Sequence, residues 1–234
     1  MSNNYPNFFI IGAQKSGTSS IHAMLKKHPD IFLSEIKELE FFNHSNRINE
    51  ENFRQNYLKH FEKANGQKVI GEATASYIWT YSTESSWCHQ SKIYNKNIPQ
   101  SIKQYLGDDV RFLVLLRDPV IRAISAYMHH FRQGRIRGKD ISIQSAGKRF
   151  GIIDMGFYAR HLKEWLRWYP REHFCILTYE DVFDNIQGAV KQICTFLDIP
   201  SIKLKPRRRN TSSGIIENKD GITLSEDELE RIRT

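Results

Sequence analysis

Cysteine is scarce in this chain of 234 residues: Cys88, Cys175 and Cys194 are odd in number and far apart. That spacing excludes a disulfide framework and a paired-cysteine zinc site, and it predicts free thiols, two of them buried. Long apolar runs are missing as well. No stretch approaches the roughly 18 residues needed to span a bilayer. The opening Met1-Ser2-Asn3-Asn4-Tyr5-Pro6 has neither the charged segment nor the apolar core of a signal peptide. A soluble, cytoplasmic protein is the expectation. Internal repeats and low-complexity linkers are also absent from the sequence, which leaves one domain over residues 1–234 as the default organisation.

What is present is an ordinary globular composition, 40% hydrophobic and 26% charged, with a net charge of +8. The positive balance points to an anionic partner, although bulk charge speaks to steering and not to fold. No nucleic-acid fold signature accompanies it, and the basic residues are scattered apart from two local clusters. A polyanionic cofactor or an acidic acceptor satisfies the same charge.

The most informative segment is Gly12-Ala13-Gln14-Lys15-Ser16-Gly17-Thr18-Ser19-Ser20-Ile21. It is close to the phosphate loop of nucleotide-triphosphate enzymes, but Thr18 occupies the slot of the Walker lysine. The lysine has moved into the turn as Lys15, where its ammonium projects over whatever sits at the mouth. Before the turn, Asn7 to Ile11 is an apolar run of strand length. After it, Ile21, Met24 and Leu25 recur at helical spacing over Thr18 to Lys27. Strand, glycine turn and helix in that order aim free N–H groups and a helix dipole at one spot. The pattern suits a phosphate-like anion met by backbone amides and one lysine, with no metal bridge.

Further along, strand-like runs alternate with helical patterns, which predicts a three-layer α/β fold: a parallel, P-loop-NTPase-like sheet of about five strands flanked by helices. Val110 to Leu116 reads as a buried central strand, and Arg117 stands at its carboxyl end. Open parallel sheets bind ligands at the carboxyl ends of their strands, so Arg117 and the Gly12 to Ser19 turn are expected to share one crevice. Pro119 opens a helix with Ile121, Ile124, Tyr127, Met128 and Phe131 on one face and with Arg122 and Ser125 elsewhere. Another helix is predicted over Gly156 to Tyr169, with Leu162, Trp165, Leu166 and Tyr169 as its apolar stripe. A strand over Phe174 to Tyr179 and a helix over Asn185 to Leu197 complete the pattern.

These residues carry a family resemblance. The chain resembles sulfotransferases that use 3′-phosphoadenosine 5′-phosphosulfate (PAPS), the heparan-sulfate-type and bacterial branches more than the cytosolic one. Four segments match in the family's order over roughly the first 130 residues: Gln14 to Ser19, Lys37-Glu38-Leu39-Glu40-Phe41-Phe42, Gly71 to Tyr77, and Arg117-Asp118-Pro119 with Arg122, Ser125 and Tyr127. The resemblance implies that Gln14, Lys15, Ser16, Gly17, Thr18 and Ser19 hold the 5′-phosphosulfate. It places Arg117 and Ser125 on the 3′-phosphate, with Arg208 or Arg209 of the Lys205 to Asn210 cluster closing over it. PAPS is then the donor and PAP, the 3′,5′-bisphosphate, the product.

The chemistry this implies is in-line sulfuryl transfer, with Lys15 stabilising the leaving phosphate and Glu38 as the base. Glu40 competes with Glu38, and Lys37, Glu38 and Glu40 also read as a solvated charge run. His44 is a further candidate for the base, and His129 and His130 for contact with the acceptor. The acceptor is expected to be a hydroxyl or amine of a carbohydrate or small metabolite, with an anionic one fitting the second cluster of Arg132, Arg135, Arg137 and Lys139. Ala73 stands where heparan-sulfate enzymes often have lysine, so a heparan-like acceptor does not follow. Ser225 and Glu228 form a capping box, but the chain stops at Thr234 where the family carries more helix, so the domain is expected to be short at that end. A P-loop kinase or nucleotidase with a displaced lysine, and a nucleotide binder without turnover, remain alternatives.

Overall fold

A computed structural model describes residues 4–80, 94–95, 97–137, 142–147 and 149–203. Cys88, Gly138, Lys139, the Lys205 to Asn210 cluster with Arg208 and Arg209, and the Ser225 and Glu228 capping box lie outside the described residues.

Five strands, β1 (Phe8–Gly12), β2 (Ile31–Leu33), β3 (Val69–Ala73), β4 (Arg111–Leu116) and β5 (Phe174–Thr178), form one sheet in the order β2-β3-β1-β4-β5. Every pairing is parallel. Such a sheet must be covered on both faces, and side-chain alternation along the central strands shows how. Phe8 and Ile10 of β1 join Leu113 and Leu115 of β4 in an aliphatic layer. It is closed by α1 (Thr18–Leu25), α6 (Tyr179–Asp184) and α7 (Ile186–Phe196). Phe9, Phe112 and Val114 point the other way, into an aromatic layer closed by α2 (Ile98–Leu106) and α5 (Tyr158–Leu166). Phe112 alone meets the rings of Phe9, Trp165, Tyr169 and Phe174. A fully buried phenylalanine of this kind contributes about 3–5 kcal/mol.

The remaining helix of length, α3 (Pro119–Arg132), leaves the end of β4 and packs with the short α4 (Ile143–Gly147) in a third cluster. Asp118 caps α3, its carboxylate accepting from Ile121 N at 2.8 Å, with Pro119 in the first turn. Cys175 and Cys194 are buried free thiols.

Two side chains assigned to apolar faces lie in solvent instead. Ile121 is 48% exposed, on the same open side of the first turn of α3 as Asp118 and Pro119, whereas Arg122 turns inward and is fully buried. Leu166, at 43%, is the last residue of α5, which ends three residues sooner than its periodicity suggests. At the other end a 3₁₀ turn, Asp154–Gly156, replaces its first residues.

Candidate active site

The turn after β1 is held from both sides. Ala13 N donates to Leu115 O of β4 at 2.6 Å, and Ser16 N returns to Ala13 O at 3.1 Å. Two residues adopt left-handed backbone, Lys15 at φ 69° and Gly17 at φ 87°. Glycine tolerates that conformation and lysine rarely does, so a lysine held there is a mark of a site and not of economy. Gly17 is needed for a second reason: a Cβ there would stand 2.6 Å from the Phe183 ring. No side chain caps α1 at Gly17, and the helix presents its amino end to the mouth of the turn.

Within the turn, Lys15 and Gln14 are half-buried, Ser19 is exposed, and Ser16 and Thr18 are buried. Ser16 is buried beside the Tyr158 phenol. Gln14 Oε1 is buried without a hydrogen-bond partner. Burial lowers the pKa of Lys15, and the nearby charges of Arg117, Arg132 and Lys37 lower it further. Cations from three other segments therefore crowd one lysine, a field that an anion would relieve.

Arg117 enters the same crevice from the tip of β4. Its guanidinium donates from Nη1 to Lys15 O at 3.2 Å and lies 4.5 Å from the ring centre of Tyr179 on α6. Tyr158 fixes the backbone behind it, donating to Arg117 O at 2.8 Å. The expected meeting of the glycine turn and the strand-tip arginine is thus observed. Ser125 is half-buried on α3, the helix that starts beside Arg117. Asp118 is occupied as the cap of that helix.

The third wall is the chain leaving β2. Its Ser34 N and Glu38 N donate to Gly71 O and Ala73 O, each at 2.9 Å, so the segment stays alongside β3 and its continuation. Glu38 and Glu40 both have left-handed backbone, at φ 62° and 53°. Glu38 Oε2 accepts from Ala75 N at 2.8 Å, and Oε1 accepts from Lys37 Nζ at 2.5 Å. Lys37, whose charge also bears on Lys15, links this carboxylate to the glycine turn. Glu40 is more exposed and lies 3.9 Å from His44.

The histidines differ among themselves. His130 is buried, stacked on Phe150 at 4.5 Å, and burial pushes its pKa down to about 4. It is a neutral packing residue, closed to an acceptor. His129 is half-buried, its pKa lowered by burial and then by the charge of Lys15, and so it stands near the crevice.

Four residues here received no role from sequence reasoning, although Arg122 and Glu72 stand in the segments that carry the family resemblance. Tyr179 and its neighbour Phe183 support Arg117 and Gly17 from below. Arg122 is fully buried and donates to the carbonyls of Gly151 and Ile152, because residues 149–156 fold across a helix face that the sequence leaves polar. Glu72 is fully buried in β3 and burial raises its pKa to about 7, against the opposing pull of hydroxyl donors from Thr74, Tyr57 and Tyr77. The available signal was a carboxylate inside the short run Val69 to Ala73.

Taken together, a glycine turn at a helix amino end, a lysine and a strand-tip arginine in one crevice define an α/β protein with a cationic crevice at the carboxyl edge of its sheet. Residues 5–218 match the sulfotransferase domain, and the chain belongs to that family. It is similar to heparan sulfate glucosamine 3-O-sulfotransferase 5 of Mus musculus, 23% identical with 83% of this chain and 54% of the relative covered. Carbohydrate sulfotransferase 15 of Rattus norvegicus is 23% identical over 89% of this chain and 46% of its own length. The chain thus spans about half the length of these curated relatives. Among solved structures, a sulfotransferase from Alicyclobacillus acidocaldarius superposes with a TM-score of 0.65 at 27% identity, covering 86% of this chain and 87% of that one. The fold is shared with mouse SULT7A1 complexed with PAP, at a TM-score of 0.50 and 16% identity, over 97% of this chain and 62% of that one.

Proposed function

We propose that this chain moves a sulfuryl group from PAPS to a hydroxyl or amine of a carbohydrate or small metabolite. The observation that carries the reading is the contact of Arg117 Nη1 with Lys15 O, which puts two separate cationic elements on one crevice. The residues suit a bisphosphorylated adenosine donor: the uncapped start of α1 and the crowded Lys15 both favour an anion. Gln14 to Ser19 would hold the 5′ end, the amides of the turn supplying most of the donors. Arg117 and Ser125 would hold the 3′-phosphate, with Arg208 or Arg209 closing over it. The PAP held by mouse SULT7A1 and the sugar acceptors in the names of the heparan and carbohydrate relatives support the donor and acceptor classes.

In the transfer, Glu38 takes the proton of the acceptor hydroxyl or amine as its oxygen or nitrogen bonds to sulfur. Lys15 steadies the negative charge left on the phosphate oxygen when the old S–O bond breaks. Both residues have left-handed backbone, held at the cost of conformational strain. Charge stabilisation at the leaving oxygen is assigned to Lys15 without a metal ion. A kinase of the Walker type would instead ask for a magnesium-bound carboxylate, and Asp118 is engaged as a helix cap.

Thermal unfolding with PAP, ATP and GTP tests the donor class. PAP should raise the melting temperature, following the mass-action gain of a native-state ligand, and should do so equally in a chelator. Stabilisation by ATP with magnesium, and none by PAP, would overturn the reading.

A further inference from the structure

A carboxylate at the centre of a sheet is costly unless it is fully hydrogen-bonded, and Glu72 is bonded in a particular way. Its Oε1 accepts from Tyr57 Oη at 2.7 Å and Tyr77 Oη at 3.1 Å, and its Oε2 accepts from Thr74 Oγ1 at 2.7 Å. Two of those three hydroxyls have a second task. Thr74 Oγ1 accepts from the backbone N–H of Glu40 at 3.3 Å, and Tyr77 Oη accepts from the N–H of Phe42 at 3.2 Å. Both amides belong to the segment that carries Glu38.

We infer that Glu72 is a positioning residue for the transfer reaction: through Thr74 and Tyr77 it orients segment 38–42, in which Glu38 and Glu40 are left-handed, and so sets where Glu38 meets the acceptor. The inference rests on the proposed role of Glu38. Each hydroxyl has one proton, and the carboxylate claims it, which leaves the oxygen lone pairs facing the loop amides as acceptors. An ionised Glu72 therefore fixes the direction of both relays, and polarised hydroxyls make better acceptors. Loop residues with φ near +60° hold that shape only when their surroundings dictate it, and among the described residues Glu72 is the buried charge beneath them. The hydroxyl donors favour its ionised form, whereas burial and the charge of Glu38 oppose it.

Tyr57 provides the control, since it donates to Glu72 but no loop amide is relayed through it. The test measures PAP release from PAPS with water as acceptor, PAP affinity by calorimetry, and hydrogen exchange at the Glu40 and Phe42 amides. Glu72→Gln, Thr74→Val and Tyr77→Phe should each lower kcat about 10- to 100-fold, the cost of a small displacement of a reacting group. PAP affinity should stay within about 2-fold, and both amides should exchange at least about 10-fold faster in Glu72→Gln. Thr74→Ser, which keeps the hydroxyl, should restore the rate, and Tyr57→Phe should stay within about 3-fold of the parent. Equal losses in Tyr57→Phe and Tyr77→Phe would overturn the inference, as would a Glu72→Gln protein with parental kcat and amide protection. A parent protein that neither binds PAP nor releases it would remove the donor reading, and the exchange measurement would still decide whether Glu72 orders the loop.

Discussion

The two sides of the crevice are built on opposite plans. On the side assigned to the donor, backbone geometry does most of the work: a turn with Lys15 at φ 69° and Gly17 at φ 87°, the bare amino end of α1, and an arginine braced on a carbonyl and a tyrosine ring. On the side assigned to the acceptor, side-chain bonds do it, through a buried carboxylate, two relay hydroxyls and a loop that follows β3. The first plan makes a rigid cradle for charge that any phosphate end would fill. The second makes an adjustable wall whose shape depends on a few removable groups. Substitutions should accordingly separate into those that change charge stabilisation, those that change the cradle, and those that only change the scaffold.

The largest effect is expected for Lys15→Ala. Loss of a group stabilising charge on the leaving oxygen should lower kcat by about 10²- to 10³-fold, read from PAP release. The melting temperature should not fall, because a charged Lys15 is disfavoured in the fold by burial, Arg117, Arg132 and Lys37. A lowered folded-state pKa means that this penalty is complete at neutral pH and fades as pH rises through the depressed value. By the same sign, PAP affinity should begin to weaken at a lower pH than an ordinary lysine would dictate. Unchanged turnover in Lys15→Ala would dissolve the difference between the two sides.

Gly17→Ala comes next. The added Cβ meets φ 87° and a ring carbon 2.6 Å away, which should cost about 1–2 kcal/mol of stability and about 10-fold in PAP affinity by distorting the cradle, measured by denaturation and calorimetry. An unaltered affinity would show that the turn does not shape the anion pocket.

Asp118→Ala should do least. It removes the cap of α3, a loss of about 1 kcal/mol, and should leave PAP release within about 2-fold in chelator. A collapse of activity there would mean that Asp118 is a reacting or metal-bound group, as in a kinase.

The two plans also explain what could be read in advance. Backbone-built features leave local signatures: an apolar strand, glycines at fixed spacing, and a helix start delimit the turn from Phe8 to Leu25, and β4 and Arg117 are equally plain. Side-chain networks do not. β2 has three residues and β3 contains Gly71 and Glu72, so neither shows a long apolar run. The burial of Glu72 depends on Tyr57, fifteen positions away, and that of Arg122 on a loop twenty-nine and thirty positions on. The resemblance of Gly71 to Tyr77 to a known segment located this stretch without revealing that its glutamate lies under the segment that carries Glu38. The residues 204–234, where Arg208 and Arg209 fall, lie outside the described residues.

One short helix, α6, touches both the strand-tip arginine and the glycine turn: Tyr179 underlies the arginine, and Phe183 fills the hollow beneath Gly17. The spacing between the arginine and the turn is therefore gauged by a single jaw with two aromatic teeth. A tilt of that jaw would carry both contact points together, preserving their span while shifting their place on the sheet edge.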